Sequence, residues 1–597
     1  MHGESKQLQL TVRAVLTGLL LGSCLTVCNV YLGLKIGWGM NMSIVAALLA
    51  FGAWHAVSKA TQGAVVPLSK LENNINQTAA SAAASISSAG LVAPVPALTM
   101  LTGYQWEWWS LATWLFSVAL VGIVVAVGLR RQFIERDRLA FPLGLAAGRT
   151  LEEMYSEGAE ALSRTRMLIS AAVLAGCTKA TLIAIHAKTL TLNFFSLRVS
   201  ASNVSGVTGI TSSNLGWALD YSPLFYAFGI IIGIRAGVSL LLGAVVCWFG
   251  IAPLVIEESW VEVVRPDGSW YSDLVQWTTW PGVILMVAAA LTSFGWSLST
   301  IFKRYMQDHQ RKHSVPKDEV HPSQYRLLVA AAFALSVVLQ GTYFGIPWYL
   351  GSFAVGLSTV LAVVAARVSG ETGITPIGPM GKVTQLTYGG LGASVTSNLM
   401  CANVTGGAAS QCGDLLHDMK CGDLVGASPR LQSYSQLAGV MAGAMVGAAV
   451  YLLLVPNPSA QLLTDDWAAP AVAQWKAVAE VLSVGFHRLP EGAPIAMALA
   501  AALGVGLVIA EKLAPEQFQK YVPSATAVGL AFVIPASYSL AMFLGSMLGF
   551  YLTKTAPRWS DRFLVICASG VFAGESLVGV GDALINKVDW GKLSSFF

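Results

Sequence analysis

Charge is the scarce commodity in this sequence: Asp, Glu, Lys and Arg make up 11% of its 597 residues, against 55% hydrophobic residues. That excludes an ordinary soluble globular chain, which needs far more charged surface. A formal net charge of +4 gives no basic field for nucleic acid, and no nucleic-acid partner is expected. Cysteine is also sparse. Its eight copies are scattered, mostly in apolar runs, and no two form a Cys-x-x-Cys pair, so small buried thiols are expected rather than a disulfide framework. Catalytic signatures are missing: no His-Glu-x-x-His and no Gly-x-Ser-x-Gly, the commonest marks of a membrane-embedded hydrolase. The run Gly378-Pro379-Met380-Gly381-Lys382-Val383 superficially resembles a phosphate-binding loop. Pro376 stands where the first glycine belongs, and Val383 replaces the hydroxyl that would bind Mg²⁺, which argues against ATP-driven chemistry. Cys412, His417 and Cys421 do not have the spacing of a usual zinc site. No catalytic residue, cofactor or resident metal is expected.

What the chain has instead is apolar length. Runs at or near the length needed to cross a hydrocarbon core of about 30 Å recur at residues 14–32, 42–57, 110–127, 166–185, 277–297, 327–344, 437–454 and 495–509. With a mean hydropathy of +0.62 and 18 tryptophans, these predict an all-α polytopic membrane protein with about 14–16 transmembrane or re-entrant helical elements. Lys6 and Arg13 precede the first run with no cleavage pattern behind it, as in an uncleaved first helix. Basic residues crowd two loops, one with Arg130, Arg131, Arg136 and Arg138, the other with Lys303, Arg304, Arg311, Lys312, Lys317 and Arg326. Both are expected on the cytoplasmic side. The acidic stretch from Glu257 to Asp273, and the loop holding Asp465 and Asp466, are expected outside.

The chain also resembles itself. Residues 234–240 align with 534–540, and the same offset of about 300 matches Pro223 with Pro523 and Gly229 with Gly529. Looser matches set Glu72 against Glu371 and Gly33 and Gly39 against Gly345 and Gly351. The expected organisation is an N-terminal transmembrane half at 1–303, a cytoplasmic linker at 304–325 and a C-terminal transmembrane half at 326–597, with broken helices at the centre.

Each half carries a polar, interrupted segment. The first runs from Leu71 to Leu98, opening with Glu72, Asn73, Asn74, Gln77 and Thr78 and closing with Gly90, Pro94 and Pro96. The second starts at Glu371 and contains Thr375, Pro376, Pro379, Lys382 and Gln385. Irregular polar backbone at membrane depth survives only where protein buries it or where it lines a watery cavity. Interrupted segments at matching places of two repeats therefore point to a substrate site. On a helix Asn73 and Gln77 are four apart, as are Asn74 and Thr78, giving a band of amides and a hydroxyl suited to a polar, peptide-like ligand. Asn73, Asn74, Gln77, Thr78, Thr375, Lys382 and Gln385 are the expected substrate-binding residues. Glu72 and Glu371 are the expected proton-coupling carboxylates, because a carboxylate in low dielectric can exchange a proton near neutral pH. Against that, Glu72 would also suit a plain helix start, and Glu371 and Lys382 could simply neutralise one another. His55, His186 and His487 read more naturally as satisfied hydrogen-bonders than as proton carriers. Glu575 and Asp582 mark either an intramembrane site or a last helix emerging into water.

Four stretches carry a family resemblance: Asn29-Val30-Tyr31-Leu32-Gly33-Leu34-Lys35-Ile36-Gly37-Trp38-Gly39, Glu72-Asn73-Asn74-Ile75-Asn76-Gln77-Thr78, the Glu371–Leu386 segment, and Gly426-Ala427-Ser428-Pro429-Arg430. Together, and in this order over nearly the whole chain, they resemble the oligopeptide transporter family. More particularly they are similar to its prokaryotic members, akin to the yellow-stripe-like metal-chelate branch. The resemblance implies proton-coupled uptake of small peptides, peptide-like compounds or metal-chelate complexes by alternating access of two related halves in the bacterial inner membrane. Its partners would be that substrate, protons and membrane lipids, with a homodimer left open as the assembly. The Asn-Pro-Gly and Lys-Ile-Pro-Pro-Arg motifs of the peptide-transporting eukaryotic branch are absent from this sequence. A passive channel for a small polar solute is the alternative reading, and a membrane-embedded enzyme would need a nucleophile and base that this sequence does not supply.

Overall fold

The computed structural model describes residues 8–156, 158–197, 209–263, 268–307, 319–485 and 489–587. Residues 308–318 of the linker, and His487, therefore lie outside the described residues. In chain order the helices are α1 (Val12–Ile36), α2 (Ser43–Ala60), α3 (Lys70–Ala84), α4 (Pro94–Thr102), α5 (Trp108–Arg130), α6 (Pro142–Ser156), α7 (Gly158–Ala184) and α8 (Pro223–Ala244). They continue with α9 (Ala252–Glu257), α10 (Tyr271–Gln307), α11 (Pro322–Phe344), α12 (Trp348–Thr372), α13 (Ile377–Gly390), α14 (Val395–Val425) and α15 (Pro429–Leu454). The last are α16 (Pro458–Gln461), α17 (Pro470–Val484), α18 (Ala493–Leu513), α19 (Glu516–Gln519), α20 (Ala525–Leu530), α21 (Ala536–Thr555), α22 (Pro557–Trp559) and α23 (Val565–Lys587). Among the described residues the only sheet is two short antiparallel pairs, Thr189–Thr191 with Ala218–Asp220 and Ser196–Leu197 with Ile210–Thr211. The all-α polytopic expectation is borne out.

Among the described residues thirteen helical stretches are long and apolar enough to cross a membrane. Their outward faces are greasy at helical spacing. Ile495, Leu499 and Leu503 on α18 are 71%, 69% and 48% exposed, and Ile169 and Val173 on α7 follow the same step of four, as a lipid-facing stripe requires. The helix α14 is the exception. It is 31 residues long, 25 of them buried, yet too polar to register as a span. It lies against α3, α4, α5, α6, α12 and α13, so protein rather than lipid surrounds it.

The chain folds into two compact units. One contains residues 1–30, 38–166 and 294–452; the other contains 31–37, 167–293 and 453–597. Each unit thus draws on both sequence halves.

Along the chain the order α1–α2–α3 recurs as α11–α12–α13. Gly37 after α1 and Gly345 after α11, 308 residues apart, both hold positive φ, at 80° and 62°, where only glycine is comfortable. The same shift carries α3 onto α13 and Gln77 onto Gln385. The looser match of Glu72 with Glu371 is not kept, because Glu72 opens α3 whereas Glu371 lies in the closing turn of α12.

In the second unit the 300-residue offset has a structural counterpart. The helix α8 is interrupted at Gly233 (φ 78°, ψ 169°), and position 533 falls in the gap between α20 and α21. The two broken segments pack on each other by exchange. Gly229 of early α8 abuts the Met542 carbonyl of α21, while Gly243 of late α8 abuts the Val528 carbonyl of α20. The Ser524 N–H, capping α20, donates to Ser239 Oγ at 2.8 Å. Glycine is required at these crossings because a Cβ would run into neighbouring backbone.

Candidate functional site

The first polar segment becomes a helix through local chemistry. Ser69 is the N-cap of α3, its hydroxyl accepting from the Glu72 N–H at 3.3 Å while Glu72 Oε2 accepts from the Ser69 N–H at 2.9 Å, a capping box. Glu72 is further held by Arg13, whose Nε and Nη2 donate to its two oxygens at 2.7 and 2.6 Å, and by the Thr11 hydroxyl at 2.7 Å. These groups line a recess that also includes Leu8. The plain helix-start role is therefore present in the structure, reinforced by a two-pronged arginine pair.

Beyond Glu72 the helix is buried throughout, although the stretch from Asn73 to Thr78 is polar except for Ile75. Several of its amide groups bond to one another and to the neighbouring backbone, while Asn74 Nδ2, Asn76 Oδ1 and Gln77 Oε1 have no partner. Asn73 Nδ2 donates to the Ala47 carbonyl at 3.1 Å, and Asn76 Nδ2 donates to Asn73 Oδ1 at 3.0 Å. Gln77 Nε2 donates to Asn74 Oδ1 at 3.4 Å and to Thr78 Oγ1 at 3.1 Å. The segment then breaks, through a 3₁₀ turn at Ser85–Ala89 and Gly90 at φ 146°, before Pro94 starts α4. A break frees backbone carbonyls, which must be satisfied where no water reaches. Asn403 of α14 does this, with Nδ2 donating to the Ala89 carbonyl at 2.7 Å while its Oδ1 accepts from Trp114 Nε1 at 2.7 Å.

The second segment breaks at the end of α12. Gly373 terminates that helix at φ 82°, and Pro376 caps α13. Glu371 lies 3.4 Å from Arg367, which is also 3.1 Å from Asp137, so its ion pair is with Arg367, one turn back on its own helix. Lys382 is 2% exposed and donates to Gln385 Oε1 at 2.8 Å. Thr375 Oγ1 is 2.8 Å from Ser369 Oγ, which is 2.9 Å from His417 Nε2.

The sequence reading missed the part played by α14. From this one helix His417 reaches the Ser369–Thr375 side, while Asp418 and Cys421 reach the α3 side. Ser43 Oγ of α2 donates to Asp418 Oδ1 at 2.9 Å and lies 3.0 Å from Ser81 Oγ, and the Cys421 thiol donates to Asn74 Oδ1 at 3.4 Å. Gln432 of α15 closes the group, its Nε2 donating to the Asp418 carbonyl at 2.7 Å and to Thr78 Oγ1 at 3.3 Å. Asp418, Gln432, Asn74, Gln77 and Thr78 are each at most 1% exposed. The available signal was a 31-residue helix with Asp414, Asp418, His417, Gln411 and Asn403 on it; polar residues suppress the hydropathy by which spans are recognised.

The other flagged residues have structural duties. Glu575 is buried and accepts from the Ser222 hydroxyl and from the Leu224 N–H at 2.7 Å, with Lys179 at 3.5 Å. It caps the start of α8 across the fold, which explains an acid inside the last apolar run. His55 Nδ1 lies 2.7 Å from the Phe51 carbonyl, and His186 Nδ1 lies 2.9 Å from that of Ile183, each within its own turn. Of the eight cysteines, Cys28, Cys247, Cys401, Cys412 and Cys421 are buried, Cys24 and Cys177 are exposed, and none of these seven is in a disulfide. No group of His, Cys, Asp or Glu among the described residues could hold a metal ion.

A family model described as OPT oligopeptide transporter protein matches residues 9–585 of the chain. The chain belongs to the oligopeptide transporter family. It is thus a multi-pass membrane protein of a transporter family and not an enzyme. Similar relatives include the Saccharomyces cerevisiae protein YGL114W, provisionally named an oligopeptide transporter, at 23% identity over 96% of this chain and 95% of its own length. The metal-nicotianamine transporter YSL2 of Arabidopsis thaliana is 23% identical over 95% of this chain and 92% of its own. The iron-phytosiderophore transporter yellow stripe 1 of Zea mays is 21% identical over 96% and 90%.

Proposed function

We propose that this chain is a secondary transporter that moves small peptides, peptide-like compounds or metal chelates of the nicotianamine class by proton symport and alternating access, in a bacterial inner membrane. One observation carries the reading. At the two broken segments, 308 residues apart, sit two buried side-chain pairs three residues apart on their helices, Asn74 with Gln77 and Lys382 with Gln385. Such pairs have no purpose in lipid and are costly to bury, whereas amides and an amine fit the amide and carboxylate groups of a peptide-like solute. Thr78 and Thr375 extend the first and second sites respectively, and Asn73 orients Asn76. The related halves at 1–303 and 326–597 would supply one site each. The relatives named for metal-nicotianamine support the chelate as cargo, with the metal carried as part of the substrate. Glu72 and Glu371 can serve as proton carriers only by releasing Arg13 and Arg367.

Purified protein in liposomes, given iron(II)–nicotianamine or glutathione outside and an acid-outside pH gradient, is expected to show saturable uptake that collapses with the gradient. Gln77→Leu and Gln385→Leu are each expected to lower uptake at least tenfold. Unsaturable flux indifferent to pH would instead identify a passive channel.

A further inference from the structure

Within the one buried cluster that joins α14 to α3 and α15, three acceptor oxygens share one feature. Asp418 Oδ2, Gln77 Oε1 and Gln432 Oε1 have no hydrogen-bond partner, although the nitrogens of both glutamines and the other oxygen of Asp418 are bonded within the same network. Gln77 and Ser81 face the Asp418 carboxyl as well. A carboxylate at 1% exposure with a lone oxygen among lone amide oxygens is costly in low dielectric. A single proton on Oδ2 turns one of these acceptors into a donor for another. Among the three oxygens it supplies the missing hydrogen; the unpartnered donor beside them, Asn74 Nδ2, bonds to none of the three.

No cation among the described residues provides an alternative. Arg130 of α5 is taken by Glu135 at 2.8 Å and Glu319 at 3.3 Å, Arg367 of α12 by Asp137, and Arg13 of α1 by Glu72. Lys382 of α13 is bonded to Gln385. Lys420 and Arg430 each lie two residues from a member of the group, roughly 200° around their helices. His417 faces Ser369 and the Gly144 N–H instead, and His55 is about 18 Å along α2 from Ser43. The remaining charged neighbours, Asp414 on α14 and Glu152 of α6 beside Cys421, are acids and offer Asp418 no counter-ion.

We infer that Asp418 is the proton-carrying carboxyl of the transport cycle, taking up one proton on Oδ2 and returning it as a carboxylate on the other side. The inference rests on the proton-symport reading above. The coupling route is short: Gln77 and Thr78 belong both to the proposed substrate band on α3 and to the network around Asp418, so gaining or losing the proton changes which amide groups are free for the solute. Glu72, whose carboxylate is already held by Arg13, the Thr11 hydroxyl and the Ser69 N–H, has no such unmet demand.

The test uses the full-length protein in liposomes with iron(II)–nicotianamine and glutathione as probes, comparing gradient-driven uptake with exchange of labelled for unlabelled probe at equal pH. Asp418→Asn is expected to lose gradient-driven uptake at least tenfold while exchange remains measurable. If wild-type uptake shows no response to a pH gradient, the symport reading itself fails. If wild type is driven and Asp418→Asn is driven equally, the assignment of Asp418 fails alone. Uptake driven by sodium at constant pH would also overturn it, marking the oxygens as a sodium site. Should Asp418→Asn fold poorly, Ser43→Ala decides. Removing the hydroxyl that stabilises the charged form raises the carboxyl's proton affinity, so the pH of half-maximal uptake should move up by roughly half a unit to one unit. An unchanged midpoint overturns the proposal.

Discussion

Arg13 and Glu72 illustrate how much one carboxylate can be asked to do at a helix entrance. Glu72 closes the capping box on Ser69 and holds a bidentate arginine whose side chain is 37% exposed. The solvent around Arg13 screens the pair, so the cap is the dependable part. Ser69→Ala is expected to cost roughly 0.5–2 kcal/mol of stability in detergent-solubilised protein, read from thermal unfolding. A different titration is expected at Asp220, in the hairpin before α8. Burial pushes its carboxyl from 3.8 up to about 6, against the Ser222 N–H that favours the charged form. A carboxyl with a raised folded-state pKa binds protons more tightly folded than unfolded, so its penalty is absent below about pH 4 and grows as pH rises toward 6. Asp220→Asn should therefore match wild type near pH 4 and exceed it at pH 7.5 by on the order of 1–3 kcal/mol. Thermal unfolding across that pH range checks the sign: a variant less stable than wild type at pH 7.5 would contradict it. At this scale the sequence was partly legible. Glu72, Asn74, Gln77, Lys382 and Gln385 stood out because polar groups in apolar chains are conspicuous. Asp418 did not, because its importance lies in an oxygen without a partner, and partners come from α2, α3 and α15.

Elements in this molecule meet through glycine. Gly229 and Gly545 leave no room for a methyl group, each lying against the carbonyl of a residue on the facing helix, Met542 and Tyr226 respectively. Backbone cannot give way as a side chain can, so Gly229→Ala and Gly545→Ala are each expected to lose about 1–3 kcal/mol through forced separation of α8 and α21. Gly233 differs. It has open space around it but sits at φ 78°, so Gly233→Ala should lose about 1–2 kcal/mol by backbone strain alone. Gly356 on α12 has neither constraint, and Gly356→Ala is expected to gain about 0.5–1 kcal/mol, since alanine is the better helix former. Thermal unfolding of the four variants separates crowding from strain; equal losses throughout would remove the distinction. The repeat around residues 234 and 534 was readable because glycine and proline mark breaks directly. The register of the other pair was not, since two acids seemed to correspond while the helices align Gln77 with Gln385.

At the scale of the whole molecule, the compact units cut across the sequence halves. The first unit needs residues 294–452 as well as those before 166. Residues 1–303 expressed alone therefore lack α11 to α15 and, like residues 326–597 alone, are expected to elute as aggregate in mild detergent. A monodisperse isolated half would contradict this. Composition alone determined that this is a membrane protein of many helices, because 55% hydrophobic residues against 11% charged leave no soluble alternative. Sequence motifs further determined where the chain breaks, since glycine and proline act locally. Only the tertiary structure decided which polar groups meet. The α14 helix is too polar to be recognised as a span and can exist at that depth only because the helices around it shield it. Burial of that kind is a property of the neighbours, and no stretch of sequence carries its neighbours with it.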